Sequence, residues 1–314
     1  MKRNVRPYRI LLYYLYTKIE NSEAYAELHL KFCKSLGVLG RIIIAHEGIN
    51  GTISGTIDQT NAYIAAMRMD PRFENMEFKI DEADEHCFKK MFVRHRSEIV
   101  TMNLDEDIDP NIISGKKLKP KAFYEALQRD DVVIVDGRND YEYDIGHFPN
   151  AIRPEVRVFK EFPEWIRKNR EMFEGKKILA YCTGGIRCEK LTGLFLKEGF
   201  EDVNHLHGGI INYGKDKEVR GKGWLGKCYV FDERISVDIN QAEPHQIVSK
   251  CYHCSEPCER YVNCAQLECH AQFLCCEECD VETKRSCCEE HKNSERNEYN
   301  IKERELKERE AALS

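Results

Sequence analysis

The sequence predicts an α/β chain in three parts: an antiparallel α+β plait, a parallel α/β sheet, and a cysteine-rich tail. Three observations predict it. The stretch Ile178 to Cys188 is an apolar run that stops at a cysteine, turns through two glycines and enters an amphipathic segment. Ahead of it, the residues up to Ile80 alternate in the order β-α-β-β-α-β. Behind it, ten of the fifteen cysteines fall between Cys251 and Cys288. A chain of 314 residues is also too long for one comfortable core.

Arg9 to Lys18 is β-branched, aromatic and mostly apolar, the pattern of a central strand. Ser22 opens a helix whose apolar positions Tyr25, Ala26, Leu28, Phe32, Cys33 and Leu36 follow a stripe of about 3.6-residue period, and Gly37 closes it. Arg41 to Ala45 and Thr52 to Ser54 are strands, Asp58 to Met69 a second helix, and Met76 to Ile80 a strand. This order is the ferredoxin-like (acylphosphatase-like) plait, with two helices on one face of its sheet. The connection His46-Glu47-Gly48-Ile49-Asn50-Gly51-Thr52 carries a hairpin signal at Asn50-Gly51. It is either a tight turn or a loop presenting His46, Glu47 and Asn50 to a ligand. From Phe88 to Met102, Lys89, Lys90, Arg94, His95 and Arg96 surround Met91, Phe92 and Val93. A solvated edge strand explains the pattern, and so does a strip that tracks RNA phosphates. The domain spans 1–102, and the Pro110- and Gly115-containing stretch 103–119 is the linker.

The second domain, 120–225, opens with a helix over Pro120 to Gln128. Val132 to Val135 is a buried parallel strand ending at Asp136. Asp136 and Arg138 either steady the neighbouring loop as a charge pair or form an ordinary surface pair. A loop and helix fill 155–173. Strand Ile178 to Tyr181 delivers Cys182, a helix runs to its stop at Gly199, and Val203 to Leu206 is a further strand before Gly208-Gly209-Ile210. Such alternation implies a parallel sheet with right-handed crossovers, and open α/β sheets place ligands at the carboxyl ends of their strands.

Cys182 stands there, facing the free N–H groups of a helix start with an arginine five residues on, so its thiolate is favoured over its thiol. It is the candidate nucleophile. Gly184 and Gly185 let the loop Thr183-Gly184-Gly185-Ile186-Arg187 curl until its amides converge on an anion. Four residues separate Cys182 from Arg187, where a cysteine-phosphatase loop has five, and the smaller ring suits a terminal sulfur better than a phosphate. Cys188 is either a resolving thiol or a small apolar residue of the helix.

Trp224 and the run Cys228 to Arg234 form an aromatic, charged strand without assigned chemistry. The segment 226–292 holds Cys251/Cys254 and Cys276/Cys279, two C-x-x-C knuckles of the kind that grip tetrahedral Zn²⁺. Ten thiols exceed one ion, so two sites, one site with spare thiols, or a redox role stay open. The charged tail 293–314 reads as a solvated or frayed helix.

The formal net charge of −6 does not point to nucleic acid, although a local basic face is enough to bind it. No apolar run approaches the roughly 20 residues of a membrane span. Met1-Lys2-Arg3-Asn4 leads into a strand with no signal core, so a cytoplasmic location is expected, where clustered cysteines bind metal rather than cross-link. There is no flavin or nicotinamide glycine fingerprint and no two-histidine, one-carboxylate iron pattern.

The Cys182 loop, together with Val135-Asp136-Gly137-Arg138 and Gly146-His147-Phe148-Pro149-Asn150-Ala151-Ile152, resembles the rhodanese fold, which implies a persulfide on Cys182. The three-part order resembles the bacterial rhodanese-related tRNA uridine hydroxylases. Matching residues are Ala45 to Thr52, Glu98 to Met102, Asp136 to Asn139, Tyr181 to Lys190 and Val230 to Arg234. That resemblance implies an oxidoreductase that forms 5-hydroxyuridine at the wobble position, with molecular oxygen as co-substrate and a tRNA anticodon loop as partner. Only Cys182 takes a catalytic role from it. The residues themselves reach an activated thiol in a sulfur-sized cradle beside a plait with a basic edge. A rhodanese-type sulfurtransferase acting on a small molecule or on tRNA is the alternative, and a zinc-stabilised RNA-binding module would need no Cys182.

Overall fold

The computed structural model describes residues 6–313; Met1 to Val5, which bear on the expected lack of a signal core, and Ser314 lie outside it. The plait consists of β1 (Tyr8–Tyr16), α1 (Ser22–Leu36), β2 (Leu39–Ala45), β3 (Gly48–Thr56), α2 (Ile57–Met69), β4 (Phe78–Ala83) and β5 (Met91–His95). Its sheet order is β4-β1-β3-β2-β5, antiparallel except for the β2–β5 pair. The basic stretch after Phe88 thus supplies a fifth, edge strand. Successive side chains of β1 point to opposite faces. Leu11 and Tyr13 pack with Cys33, Tyr63 and Phe73 beneath the helices, while Leu12 joins the core of the second unit. Both faces are covered, which is why the strand is apolar throughout.

Asn50-Gly51 is not the turn its dipeptide signals. Ala45 pairs with Gly48, so His46-Glu47 turn the chain and Asn50 and Gly51 lie inside β3, opposite Tyr14 and Tyr13. Glycine is required there because a Cβ would sit 2.5 Å from the Tyr13 hydroxyl.

The second unit runs β6 (Lys116–Leu118), α3 (Pro120–Leu127), β7 (Val132–Asp136), α4 (Asp140–Ile145), β8 (Gly146–His147), β9 (Ala151–Ile152), α5 (Phe162–Lys168), β10 (Lys177–Tyr181), α6 (Ile186–Lys197), β11 (Val203–Leu206) and α7 (Gly209–Lys215). A parallel sheet β6-β11-β10-β7-β9 forms its centre, and its first strand, β6, falls inside the stretch expected as linker. Ile178 and Ala180 face Leu191, Phe195 and Trp165, whereas Leu179 and Tyr181 face Phe123, Ile210 and Trp224. The hairpin β12 (Leu225–Tyr229) and β13 (Ser236–Asp238) adds to β8. The tail has β14 (Tyr261–Asn263), β15 (Gln272–Leu274), α8 (Glu277–Glu282), α9 (Glu289–Asn293) and α10 (Glu298–Leu313), exposed over 302–311. Among the described residues no helix is long and apolar enough to cross a membrane.

Lys190 of α6 fastens plait to sheet. Its side chain is fully buried, and its ammonium meets Glu47 at 2.8 Å, Glu98 at 2.9 Å and Asp107 at 2.9 Å. Glu47 also accepts the Ile99 amide at 2.6 Å, so the β2–β3 turn, the strap after β5 and α6 converge on one cation.

Candidate active site

Strand β10 ends at Tyr181 and α6 begins at Ile186, so Cys182 to Gly185 wrap the first amides of the helix. The Gly185 amide donates to the Cys182 sulfur at 3.1 Å. Burial alone would push the thiol up. The Cys188 thiol and amide, the Arg187 charge and the Gly185 amide outweigh it and bring Cys182 down to about 6. Cys188 is pushed well up by burial and by the neighbouring Cys182 sulfur. One thiolate and one thiol therefore sit side by side.

The two glycines in the loop meet different constraints. Gly185 has φ 98°, in the left-handed region, whereas a Cβ on Gly184 would press to 3.3 Å from Leu12 of β1. From behind, the Ile210 and Ile211 amides at the start of α7 donate to the Cys182 and Thr183 carbonyls at 3.0 and 3.1 Å.

Arg187 does more than the sequence suggests. Its guanidinium makes a bidentate pair with the fully buried Glu142, at 2.6 and 2.8 Å, so its charge reaches Cys182 without a direct bond. Burial would raise Glu142, but Arg187 holds it below the usual carboxylate range. Glu142 also accepts the Asn139 amide at 3.2 Å. The Asn139-x-x-Glu142 spacing at the start of α4 was the signal that could have found it. Asp136 and Arg138 do form a buried pair, at 2.9 and 2.6 Å, and Arg138 donates to the Gly146 carbonyl at 2.6 Å. With its guanidinium 5.1 Å from the Trp224 ring, the pair braces the strands behind the loop.

In front of the loop lies a cavity of about 590 Å³. Leu12, Tyr14, Ile43, Asn50 and Thr52 of the plait form one wall, Thr183, Gly184, Ile186 and Arg187 the other. Ile99 to Thr101 and Phe231 close its sides, and the exposed Arg41 and Lys160 stand at its margin. A mostly apolar lining with a few convergent polar groups is the usual make-up of a ligand site. Cys182 itself is 0% exposed, beneath the loop.

In the tail, Cys251, Cys254, Cys276 and Cys279 bring their sulfurs within 4.8 Å of one another. The Cys254 and Cys276 sulfurs are 3.8 Å apart, and the amides of Cys276 and Cys279 donate to the Cys251 and Cys276 sulfurs at 3.4 Å. All fifteen cysteines are free. Four thiolates in this arrangement fit one tetrahedral Zn²⁺. The tail docks beside Glu142, where the Tyr261 hydroxyl donates to the Tyr141 carbonyl at 2.6 Å.

Three known domain families match successive parts of the chain. Residues 8–99 match the UPF0176 acylphosphatase like domain, 119–216 the rhodanese-like domain and 225–292 the rhodanase C-terminal family. A Bacillus licheniformis protein named tRNA uridine(34) hydroxylase is 61% identical over 303 residues, covering 96% of this chain and 94% of that one. A Bacillus mycoides protein of the same name is 59% identical over 309 residues, covering 98% and 96%. One from Bacillus velezensis is 56% identical over 301 residues, covering 96% and 93%. Because identity at this level extends through plait, sheet and tail alike, the chain belongs to the tRNA uridine(34) hydroxylase family.

Proposed function

We propose that the protein hydroxylates the wobble uridine of tRNA to 5-hydroxyuridine with molecular oxygen as co-substrate, and that Cys182 is its reactive thiol. The observation that carries this reading is the cavity laid over the Cys182 cradle, whose size suits a nucleoside swung out of an anticodon loop. Arg41 and Lys160 at its margin, with Lys89, Lys90, Arg94 and Arg96 along the β5 edge, offer cations to the flanking phosphates. A tRNA substrate and a full set of free cysteines suit a reducing cytoplasm.

The buried position of Cys182 favours a persulfide. An outer sulfur stands about 2 Å beyond the first, which carries the reactive atom up through the amide ring towards the cavity. Cys188 is then placed as the resolving thiol. Asp136 and Arg138 support the loop from behind, and the four-cysteine set around Cys251, with no open ligand position, makes its zinc structural. The test compares tRNA nucleosides from cells with and without the gene by mass spectrometry. Loss of 5-hydroxyuridine alone supports hydroxylation, and loss of 2-thiouridine alone would replace it with sulfur transfer.

Phe231, 46% exposed at the cavity side and 5.8 Å from the Arg187 guanidinium, is the aromatic surface on which a base can stack. Stacking on one ring is worth roughly 1–3 kcal/mol, so Phe231→Ala is expected to raise KM for tRNA about tenfold while kcat changes little. Steady-state kinetics on one tRNA checks it.

A further inference from the structure

We propose that the tail holds a second metal centre, a closed Zn²⁺ site made by Cys264, Cys269, Cys287 and His291. Their ligand atoms lie within 4.8 Å of one another. The Cys269 and Cys287 sulfurs are 3.8 Å apart, and His291 Nδ1 is 3.2 Å from the Cys287 sulfur and 3.6 Å from that of Cys264. A tetrahedral ion with Zn–S near 2.3 Å and Zn–N near 2.0 Å sets its ligand atoms about 3.8 Å apart for two sulfurs and about 3.5 Å for sulfur and nitrogen. The observed spacings are those of one ion's first shell. A disulfide would need the sulfurs at about 2.05 Å. A four-iron cluster, in which each thiolate holds a different iron, would spread them further than one ion does.

The order of the ligands along the chain gives the site its purpose. Cys251 and Cys254 are followed by Cys264 and Cys269, then Cys276 and Cys279, then Cys287 and His291. The first and third pairs make one centre and the second and fourth the other, so each ion closes a loop across the other's ligands. The segment needs this. The core cluster here is cysteines with only Val262 and Phe273 besides them among its buried members, too little apolar surface to fold on its own. Asn297, itself fully buried, fixes the last pair by donating to the Ser286 hydroxyl at 2.8 Å and the His291 carbonyl at 3.1 Å. The two remaining imidazoles, His253 and His270, and the thiols of Cys258, Cys275 and Cys288 stand outside both sets.

The test is the metal content of the full chain, purified under reducing conditions without chelator, by plasma mass spectrometry. Two zinc ions per chain are expected, falling to one in Cys269→Ser/Cys287→Ser and to one in Cys251→Ser/Cys254→Ser. Because loss of a centre can unfold the tail, His291→Cys provides a variant that keeps both ions. Loaded with Co²⁺, its visible spectrum is expected to shift from a mixture of all-thiolate and three-thiolate, one-imidazole centres to all-thiolate alone. One zinc in the unmodified chain, two zinc ions retained by Cys269→Ser/Cys287→Ser, or no spectral shift in His291→Cys would overturn the second centre.

Discussion

Cys182→Ser is expected to abolish 5-hydroxyuridine formation, by roughly 10³-fold or more, while the protein still folds and binds tRNA. Serine keeps the volume of the buried site but presents a hydroxyl that stays protonated where the thiol ionises. The amides and the Arg187 charge converging on this position then have no anion to hold. Single-turnover product analysis with a parallel tRNA-binding measurement separates chemistry from recognition. The companion result is a pH profile. The ultraviolet absorbance of the Cys182 thiolate, taken after reduction as the difference between the unmodified chain and Cys182→Ser, should titrate with a midpoint near 6, against about 8.5 for an unperturbed cysteine. The folded-state value lies below the unfolded one, so ionisation of Cys182 stabilises the fold at and above the ordinary thiol range, and this contribution fades as pH falls towards 6. Activity follows the same direction, lost on the acid side and level above neutrality. A midpoint in the ordinary thiol range, with product still formed by the serine variant, would remove the sulfur from the chemistry.

What the sequence disclosed and what it hid divide along one physical line. The Cys182 cradle was legible because everything that shapes it is local: an apolar strand, two glycines and a helix start within a dozen residues. The C-x-x-C knuckles were legible for the same reason. Asn50-Gly51 misled because its glycine answers to the Tyr13 ring on the neighbouring strand, a contact no dipeptide rule contains. The cavity wall made by Leu12, Tyr14 and Asn50 was hidden because the strands that supply it lie far from Cys182 in sequence. Arg187 was noticed and its partner Glu142 was not, since the pair spans forty-five positions. Cys264, Cys269, Cys287 and His291 escaped because their spacings, C-x₄-C and C-x₃-H, depart from the knuckle pattern and become a set only when β14, β15 and α9 bring them together.

Lys190 of α6 carries the largest expected stability effect. Burial opposes its charge, yet the hydrogen bonds it donates to Glu98 and Asp107 and its ion pair with Glu47 outweigh that cost and hold the ammonium above its ordinary range. Removing it in Lys190→Ala leaves acidic groups facing one another at a covered joint, and breaking such a buried pair costs about 3–5 kcal/mol. Asp107 is about half exposed and screened by water, so most of the loss falls on Glu47 and Glu98, whose side chains are 16% and 13% exposed. For a chain of this size the unfolding temperature should drop by roughly 5–8 °C. Glu98 also accepts the Met102 and Asn103 amides at 3.0 and 3.1 Å, and Glu47 holds the turn between β2 and β3. The strap borders the cavity through Ile99 to Thr101, so kcat/KM for tRNA should fall below what stability alone explains when assayed well under the melting transition. Adding Glu47→Gln and Glu98→Gln to Lys190→Ala should recover part of the lost stability, because the uncompensated charges go with the cation. Calorimetry on the single and combined variants decides the matter. A loss under about 1 kcal/mol for Lys190→Ala, or no recovery in the triple variant, would mean that apolar packing around Leu12 and Gly184, and not this cation, holds the plait over the active loop.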